Sequence, residues 1–182
     1  MALVALSACC KQEQTFDYTV DKFYDLEILR YQVPEFDSLS LQQKTLVYHL
    51  TEAALHGRDI LYDQNGRYNL RIRRALEALY TQYKGDKTSE EFLNFEKYLK
   101  RVWFANGIHH HYASDKFQPD FSQEWFVAAC AAAGVTYDEA ILPVIFDPTV
   151  MPKSLSLEGE DLLLASANNY YEGVTQAEAE AY

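Results

Sequence analysis

The strongest helical signal in the chain lies at residues 88–107, which read Thr-Ser-Glu-Glu-Phe-Leu-Asn-Phe-Glu-Lys-Tyr-Leu-Lys-Arg-Val-Trp-Phe-Ala-Asn-Gly. The first four residues, Thr88–Glu91, have the form of a capping box, in which a hydroxyl and a carboxylate satisfy the first free N–H groups of a helix. Apolar side chains then recur at helical spacing and predict one buried face. These side chains are Phe92, Phe95, Leu99 and Val102. Gly107 can adopt the left-handed backbone that commonly ends a helix, so we expect the helix to end near Asn106 and Gly107.

Helical signals continue on both sides of this segment and predict a mainly α fold. A second helix is expected from Asn69, with a buried stripe at Ile72, Leu76, Leu79 and Tyr83. A third is expected over residues 123–133, capped by Ser122 and closed by Gly134.

Three more capping boxes and two weaker patterns complete the expected elements. The box at residues 40–43 predicts a helix that runs to about Tyr62, and the box at residues 136–139 predicts a short helix ended or kinked by Pro143. The box at residues 175–178 opens a last helix, in which the chain stops after a few residues. The mixed pattern over residues 17–31 is compatible with a helix. One short strand is possible at residues 162–165, inside a long loop.

Three consecutive histidines follow the central helix, within Trp103–Phe117. Neighbouring residues on a helix or strand point in different directions, so His109, His110 and His111 cannot all face one metal ion. The chain also contains neither His-Glu-x-x-His nor Cys-x-x-Cys. We therefore expect no metal site here. Two readings stay open: the loop lines a polar cleft, or its histidines are ordinary surface and packing residues.

Trp103–Phe117 also carries a resemblance, together with Tyr24–Pro34, Gly57–Asn65 and Ala167–Thr175. From about residue 17 onward the chain resembles the N-terminal part of the dipeptidyl peptidase III family, in its bacterial, Bacteroides-type members. The resemblance implies a zinc-dependent aminopeptidase that releases dipeptides from the N-termini of short peptides. It also implies an α+β enzyme of two lobes, in which this chain is a helical segment of the lower lobe and helps to shape the peptide-binding cleft.

The chain departs from that family in one large respect. The family's zinc motif, His-Glu-x-x-Gly-His, does not occur in the sequence. We therefore expect no catalytic residue and no zinc ligand in this chain, and zinc only in the full-length enzyme. What the resemblance implies for this chain is a substrate-binding role for Tyr112, which occupies the position of the family's cleft aromatic, and for its neighbour His111. The alternative is that Tyr112 packs beneath the loop and touches no ligand.

The first residues resemble a processing signal. Leu6-Ser7-Ala8-Cys9 resembles the bacterial lipobox, in which the cysteine is lipidated and becomes the mature N-terminus. We expect residues 1–16 to be a signal and tether, and residues 17–182 to be an incomplete N-terminal lobe. The protein would then be a periplasmic or outer-membrane lipoprotein of a Gram-negative cell envelope, attached to the membrane only through its lipid. No lysine or arginine precedes Cys9, although a signal peptide ordinarily begins with a basic region.

The formal net charge of −11 bears on partners. An acidic chain repels phosphate backbones, which argues against nucleic-acid binding. An acidic cleft would attract the N-terminal amine of a peptide, although the same charge also serves solubility alone. We expect Arg71, Arg73 and Arg74 to form ordinary helix-surface pairs with Glu77. A second function fits the sequence as well, namely a non-enzymatic, helical surface lipoprotein that binds peptides or glycans.

Overall fold

The computed structural model describes residues 16–154 and 160–182, which fall into two compact units. The first unit extends to Ser38 and the second begins at Leu39. The expected lipidation site at Cys9 lies outside the described residues.

The first unit contains an antiparallel hairpin of β1 (Thr19–Phe23) and β2 (Leu26–Leu29), followed by a 3-10 turn at Phe36–Ser38. The expectation of a helix over residues 17–31 is therefore wrong. Side chains alternate between half-buried and exposed along both strands, which is the period of two that a strand requires. Tyr24 allows the tight turn by adopting a left-handed backbone with φ 53°.

The second unit is helical, so the described chain is mainly α, as the sequence predicted. Its longer helices are α1 (Leu41–His56), α2 (Arg58–Asn65), α3 (Asn69–Gln82), α4 (Glu90–Ala105) and α5 (Gln123–Ala133). Three short helices follow: α6 (Ile141–Phe146), α7 (Leu162–Ala165) and α8 (Gln176–Ala181). Helix α3 contacts α2, α4, α5 and α6 and is the centre of the packing.

The predicted stripes on α3 and α4 form the core. Ile72, Leu76 and Leu79 are fully buried, as are the four residues of the predicted stripe on α4, while Tyr83 is partly buried. An aromatic cluster surrounds them, and its members are Phe92, Phe95, Phe121, Trp125 and Phe126. Burying each large apolar side chain is worth about 1.5–3 kcal/mol. The cluster therefore anchors the first half of α4, and buried Leu99 and Val102 hold the half that leads to its end.

Several predicted caps are confirmed. Ser40 and Thr175 begin α1 and α8 with complete capping boxes. Ser122 begins α5 by accepting a hydrogen bond from the Trp125 N–H, and Gly134 ends it in the left-handed region. Cys130, which lies on this helix, is buried as its apolar sequence neighbours indicate, and burial raises the pKa of its thiol to about 11.

The two ends of α4 differ from the prediction. Its cap is Ser89, which accepts from the Phe92 N–H, because the Thr88 hydroxyl and N–H both donate to Asp86. At the other end Asn106, not Gly107, takes the left-handed conformation, with φ 53° and ψ 41°.

Three further boundaries also differ. The first predicted helix is divided at Gly57 into α1 and α2. Helix α6 lacks the expected capping box and contains Pro143 in its first turn, where no backbone N–H is needed. Residues 162–165 form helix α7 rather than a strand, because the Asp161 carboxylate accepts from two N–H groups at its start.

Helix α1 has no buried side chain. Its exposed large apolar residues include Leu41, Leu46, Leu50 and Leu55. Within the described parts of the chain, no helix combines the length and the apolar character that a bilayer crossing requires.

Candidate functional site

Three of the four segments that carry the family resemblance meet in the second unit. The Asn65 side-chain amide at the end of α2 donates to the Asn106 carbonyl oxygen at 3.2 Å. The Asn169 N–H donates to the Gln64 carbonyl oxygen at 2.9 Å. These bonds join Gly57–Asn65, Trp103–Phe117 and Ala167–Thr175, and we call their meeting point the junction.

Beside the junction, the backbone passes so close to a buried side chain that position 107 has no room for a Cβ atom. Gly107 has φ 152°, and a Cβ atom on it would lie 2.3 Å from Nδ2 of Asn69. Asn69 is buried, and its Oδ1 accepts the Ile108 N–H at 3.3 Å. Only glycine allows the chain to pass this side chain as it leaves α4.

The histidine loop, residues 108–117, leaves the junction as a small antiparallel turn. The His110 N–H donates to the Asp115 carbonyl oxygen at 2.7 Å, and the Phe117 N–H donates to the Ile108 carbonyl oxygen at 2.8 Å. The loop thus has a fixed base, formed by buried Ile108 and Phe117.

His109 is a packing residue of this loop. Its side chain is only 6% exposed, and its Nε2 lies 3.0 Å from the Met151 carbonyl oxygen. A carbonyl oxygen can only accept, so Nε2 carries the hydrogen and Nδ1 has the lone pair. Burial lowers the pKa of His109 to about 4, and the neighbouring Lys116 and Lys153 act in the same direction. The ring is therefore neutral at pH 7.

Lys116 fastens a second segment to the loop. Its ammonium donates to the carbonyl oxygens of Asp147 and Val150, at 2.6 and 2.8 Å. Burial lowers the pKa of Lys116, while Asp147 opposes that shift. Together with His109, this lysine holds residues 147–151 against the histidine loop.

The two residues proposed from the sequence lie at the tip of the loop. Tyr112 is 90% exposed, so its ring does not pack beneath the loop. His111 lies between Tyr112 and His110, with ring centroids 4.4 Å from each. The Tyr112 N–H donates to Nδ1 of His110 at 3.2 Å, which fixes the turn. The structure thus places Tyr112 and His111 side by side on an accessible surface, and their substrate-binding role stays a prediction.

A small recess opens beside the loop, with a volume of about 160 Å³. We call it the histidine recess. It is lined by Asn65, Ala105, Asn106, Gly107, His109, His110, His111 and Lys153. Asn65 and Lys153 were not among the site residues expected from the sequence, because both reach the recess through contacts between distant segments.

A larger cavity of about 510 Å³ lies between α2, α3 and the end of α4. Arg73 lines it with only 15% of its side chain exposed, donating to Asp59 at 2.8 Å and pairing with Glu77 at 3.3 Å. Its guanidinium lies 4.7 Å from the centroid of the Tyr62 ring. Arg71 and Arg74 are well exposed, but they pair with Asp138 and Asp59 rather than with Glu77 as expected. The expected pair with Glu77 forms at Arg73, whose side chain is largely buried instead of lying on the surface. A signal for this existed, because Arg73 directly follows Ile72 and borders the apolar stripe of α3.

The residues present do not fit a zinc site. His109 is engaged with Met151, while the rings of His110 and His111 stack on each other. Across residues 16–154 and 160–182, no group of three or more His, Cys, Asp or Glu side chains could hold a metal ion. No chemical step is therefore assigned to a metal held by these residues.

Neither a protein-family model nor a curated protein matches the chain. The features that the structure brings together are the junction, the exposed loop tip and the histidine recess.

Proposed function

We propose that this chain is part of a dipeptidyl peptidase III-type zinc peptidase and forms one wall of the cleft that holds the peptide substrate. One observation carries the proposal: three segments that resemble that family lie far apart in sequence and meet at the junction. Asn65 and Asn106 are 41 residues apart, and Asp63 and Asn169 are 106 residues apart, yet each pair is joined by a hydrogen bond.

The placement of the histidine loop supports the same reading. Binding residues are often carried on loops that a rigid scaffold positions. The loop begins at the end of α4, whose apolar face is fully buried, and Lys116 and His109 tie it to residues 147–151. Its tip is thus accessible while its base is held.

Tyr112 and His111 are the residues proposed to contact the peptide. An exposed tyrosine ring offers an apolar face for stacking and a hydroxyl for hydrogen bonding. The zinc and the catalytic groups would come from the family's His-Glu-x-x-Gly-His motif, in sequence that this chain does not contain. Lipidation at Cys9 would place the enzyme in the cell envelope. This chain would form part of the lower lobe of a two-lobed protein.

The test is to read the coding sequence past the codon for Tyr182 and to assay the complete product with a dipeptidyl arylamide. An open frame that reaches His-Glu-x-x-Gly-His, together with zinc-dependent release of the arylamine, is the expected result. A frame that closes without the motif, or a complete product that does not cleave the substrate, would overturn the proposal.

A second candidate function is a non-enzymatic surface lipoprotein that binds peptides or glycans. The exposed aromatic rings favour it, since Tyr112, Tyr170 and Tyr171 are all well exposed. Such rings stack on sugars and peptides without any catalytic group. The same reading of the coding sequence separates the two candidates, because this one requires a stop without the zinc motif.

A further inference from the structure

The histidine recess differs in charge from the chain around it. The protein has a formal net charge of −11, yet among the described side chains that line the recess there is one cation, Lys153, and no aspartate or glutamate. The lining comes from the end of α2, the end of α4, the histidine loop and the segment that contains Lys153. A small anion would therefore meet attraction here and repulsion over much of the remaining surface.

The polar groups of the recess supply hydrogen-bond donors. Lys153 carries three N–H bonds on a flexible stem. His110 accepts the Tyr112 N–H through Nδ1, so in the neutral ring its Nε2 carries the hydrogen and can donate. The carbonyl end of α4 also lies in the wall, at Ala105 and Asn106. Its partial negative charge attracts the Lys153 ammonium but opposes an anion, so the attraction for an anion comes from Lys153 and from the ring N–H of His110.

The size of the recess restricts the ligand. At about 30 Å³ for each water molecule in the liquid, a volume of about 160 Å³ corresponds to roughly five waters. That is enough for a carboxylate and the carbon atoms next to it. It is well below the roughly 300–1,000 Å³ of a site that encloses a whole small-molecule ligand.

We propose that the histidine recess binds a carboxylate group, which pairs with the Lys153 ammonium and accepts a hydrogen bond from the His110 ring. A peptide offers such a group at its C-terminus or on an aspartate or glutamate side chain. The identification of the ligand as a peptide rests on the proposed function, whereas carboxylate binding requires only this chain.

The experiment is an NMR titration of the full isotope-labelled chain, followed at the ring C–H signals of His110 and His111. Three probes are compared: N-acetylalanine with a C-terminal carboxylate, N-acetylaspartate amide with a side-chain carboxylate, and N-acetylalanine amide with neither. We expect saturable shifts with at least one carboxylate probe and none with the neutral amide. The carboxylate probe that binds more tightly identifies the source of the group.

Variants of the lysine complete the test. Lys153→Gln should weaken carboxylate binding by about five-fold or more, whereas Lys153→Arg should retain it, because only the second keeps the charge. Lys84→Gln, which removes an exposed lysine outside the recess, is the matched control. Equal shifts with the neutral amide, no shift with either carboxylate, or unchanged binding in folded Lys153→Gln would overturn the inference. None of these results bears on the peptidase proposal, which the coding sequence tests.

Discussion

The Glu91 carboxylate on α4 accepts hydrogen bonds from both donors of Ser122 at the start of α5. Oε2 accepts the Ser122 N–H at 2.9 Å, and Oε1 accepts the Ser122 hydroxyl at 2.8 Å. The same hydroxyl oxygen accepts the Trp125 N–H at 3.2 Å. One carboxylate thereby fixes the helix cap that orients Trp125 against the aromatic cluster.

Replacing Glu91 with alanine should lower the free energy of unfolding by roughly 1–3 kcal/mol, because two hydrogen bonds to a charged acceptor are lost. Chemical denaturation monitored by tryptophan fluorescence measures this change in the free energy of unfolding. Glu90→Ala, at the neighbouring exposed position, is the control and should change stability by less than about 0.5 kcal/mol. Equal losses in the two variants would show that only the helix dipole is involved.

Gly107→Ala should destabilise the protein by roughly 2–4 kcal/mol, since its Cβ would meet the buried Asn69 amide. Gly134→Ala is the matched control. Gly134 also has a positive φ, of 70°, but nothing lies within 4 Å of its Cβ position. Gly134→Ala should lower stability by only about 1 kcal/mol, because the left-handed backbone is its single source of strain. Similar melting temperatures for the two variants would refute the close approach to Asn69.

The buried ring of His109 should make stability depend on pH. Its folded pKa is lowered to about 4 from an ordinary value of 6.5, so the unfolded chain binds the proton more tightly. This histidine therefore contributes fully above pH 6.5, and its contribution is lost as the pH falls from about 6.5 to 4. The loss should reach about 3 kcal/mol, because each unit of pKa difference corresponds to about 1.4 kcal/mol.

His109→Gln should remove this pH dependence, whereas His49→Gln, at an exposed position on α1, should leave it in place. Denaturation midpoints at half-unit steps between pH 4 and 7 distinguish the two variants. An unchanged slope in His109→Gln would mean that other groups cause the acid sensitivity.

Arg73→Lys should lower stability by roughly 1–2 kcal/mol, although the charge is kept, because lysine cannot reproduce the planar contacts with Asp59, Glu77 and the Tyr62 ring. Arg71→Lys changes an arginine whose pairing with Asp138 is largely exposed, and should alter stability by less than about 0.5 kcal/mol. Thermal unfolding of both variants measures the difference. No loss in Arg73→Lys would show that its partial burial contributes nothing specific.

Tyr112→Ala should leave the melting temperature almost unchanged, because a ring that is 90% exposed loses little packing when it is removed. In the complete peptidase that we propose, kcat/KM should fall by about ten-fold if the ring stacks on the substrate. Phe117→Ala, at the buried base of the loop, should do the reverse and cost roughly 3–5 kcal/mol of stability. Unaltered kinetics in Tyr112→Ala would remove this residue from the site.

The parts of the fold that the sequence predicts are those set by local patterns. The stripes of α3 and α4 and the cap of Ser122 follow from helical spacing and from side chains within three residues. Thr88 is the instructive failure. Its spacing to Glu91 matches a capping box. The Thr88 hydroxyl instead donates to Asp86, and the Glu91 carboxylate accepts from Ser122, which lies 31 residues away.

Some residues of the candidate site could likewise be predicted from the sequence, and others could not. The histidines and Tyr112 stand out in the sequence because they are adjacent and unusual. Lys153 and Asn65 do not, because only the folded chain brings them to the recess. The hairpin of β1 and β2 was missed since its strands are short and its alternating pattern also contains residues that helices tolerate.

The hydrogen bond from Asn169 to Asp63 spans 106 residues and has a consequence for synthesis. Closing so long a loop costs entropy that must be spent before the contact forms. Helices α2 to α5 have emerged from the ribosome well before residue 169 does, and the bonds from Asn65 to Asn106 and from Ser122 to Glu91 need no residue beyond them. The segment Ala167–Thr175 therefore joins the junction late on the nascent chain, after the first two segments have met.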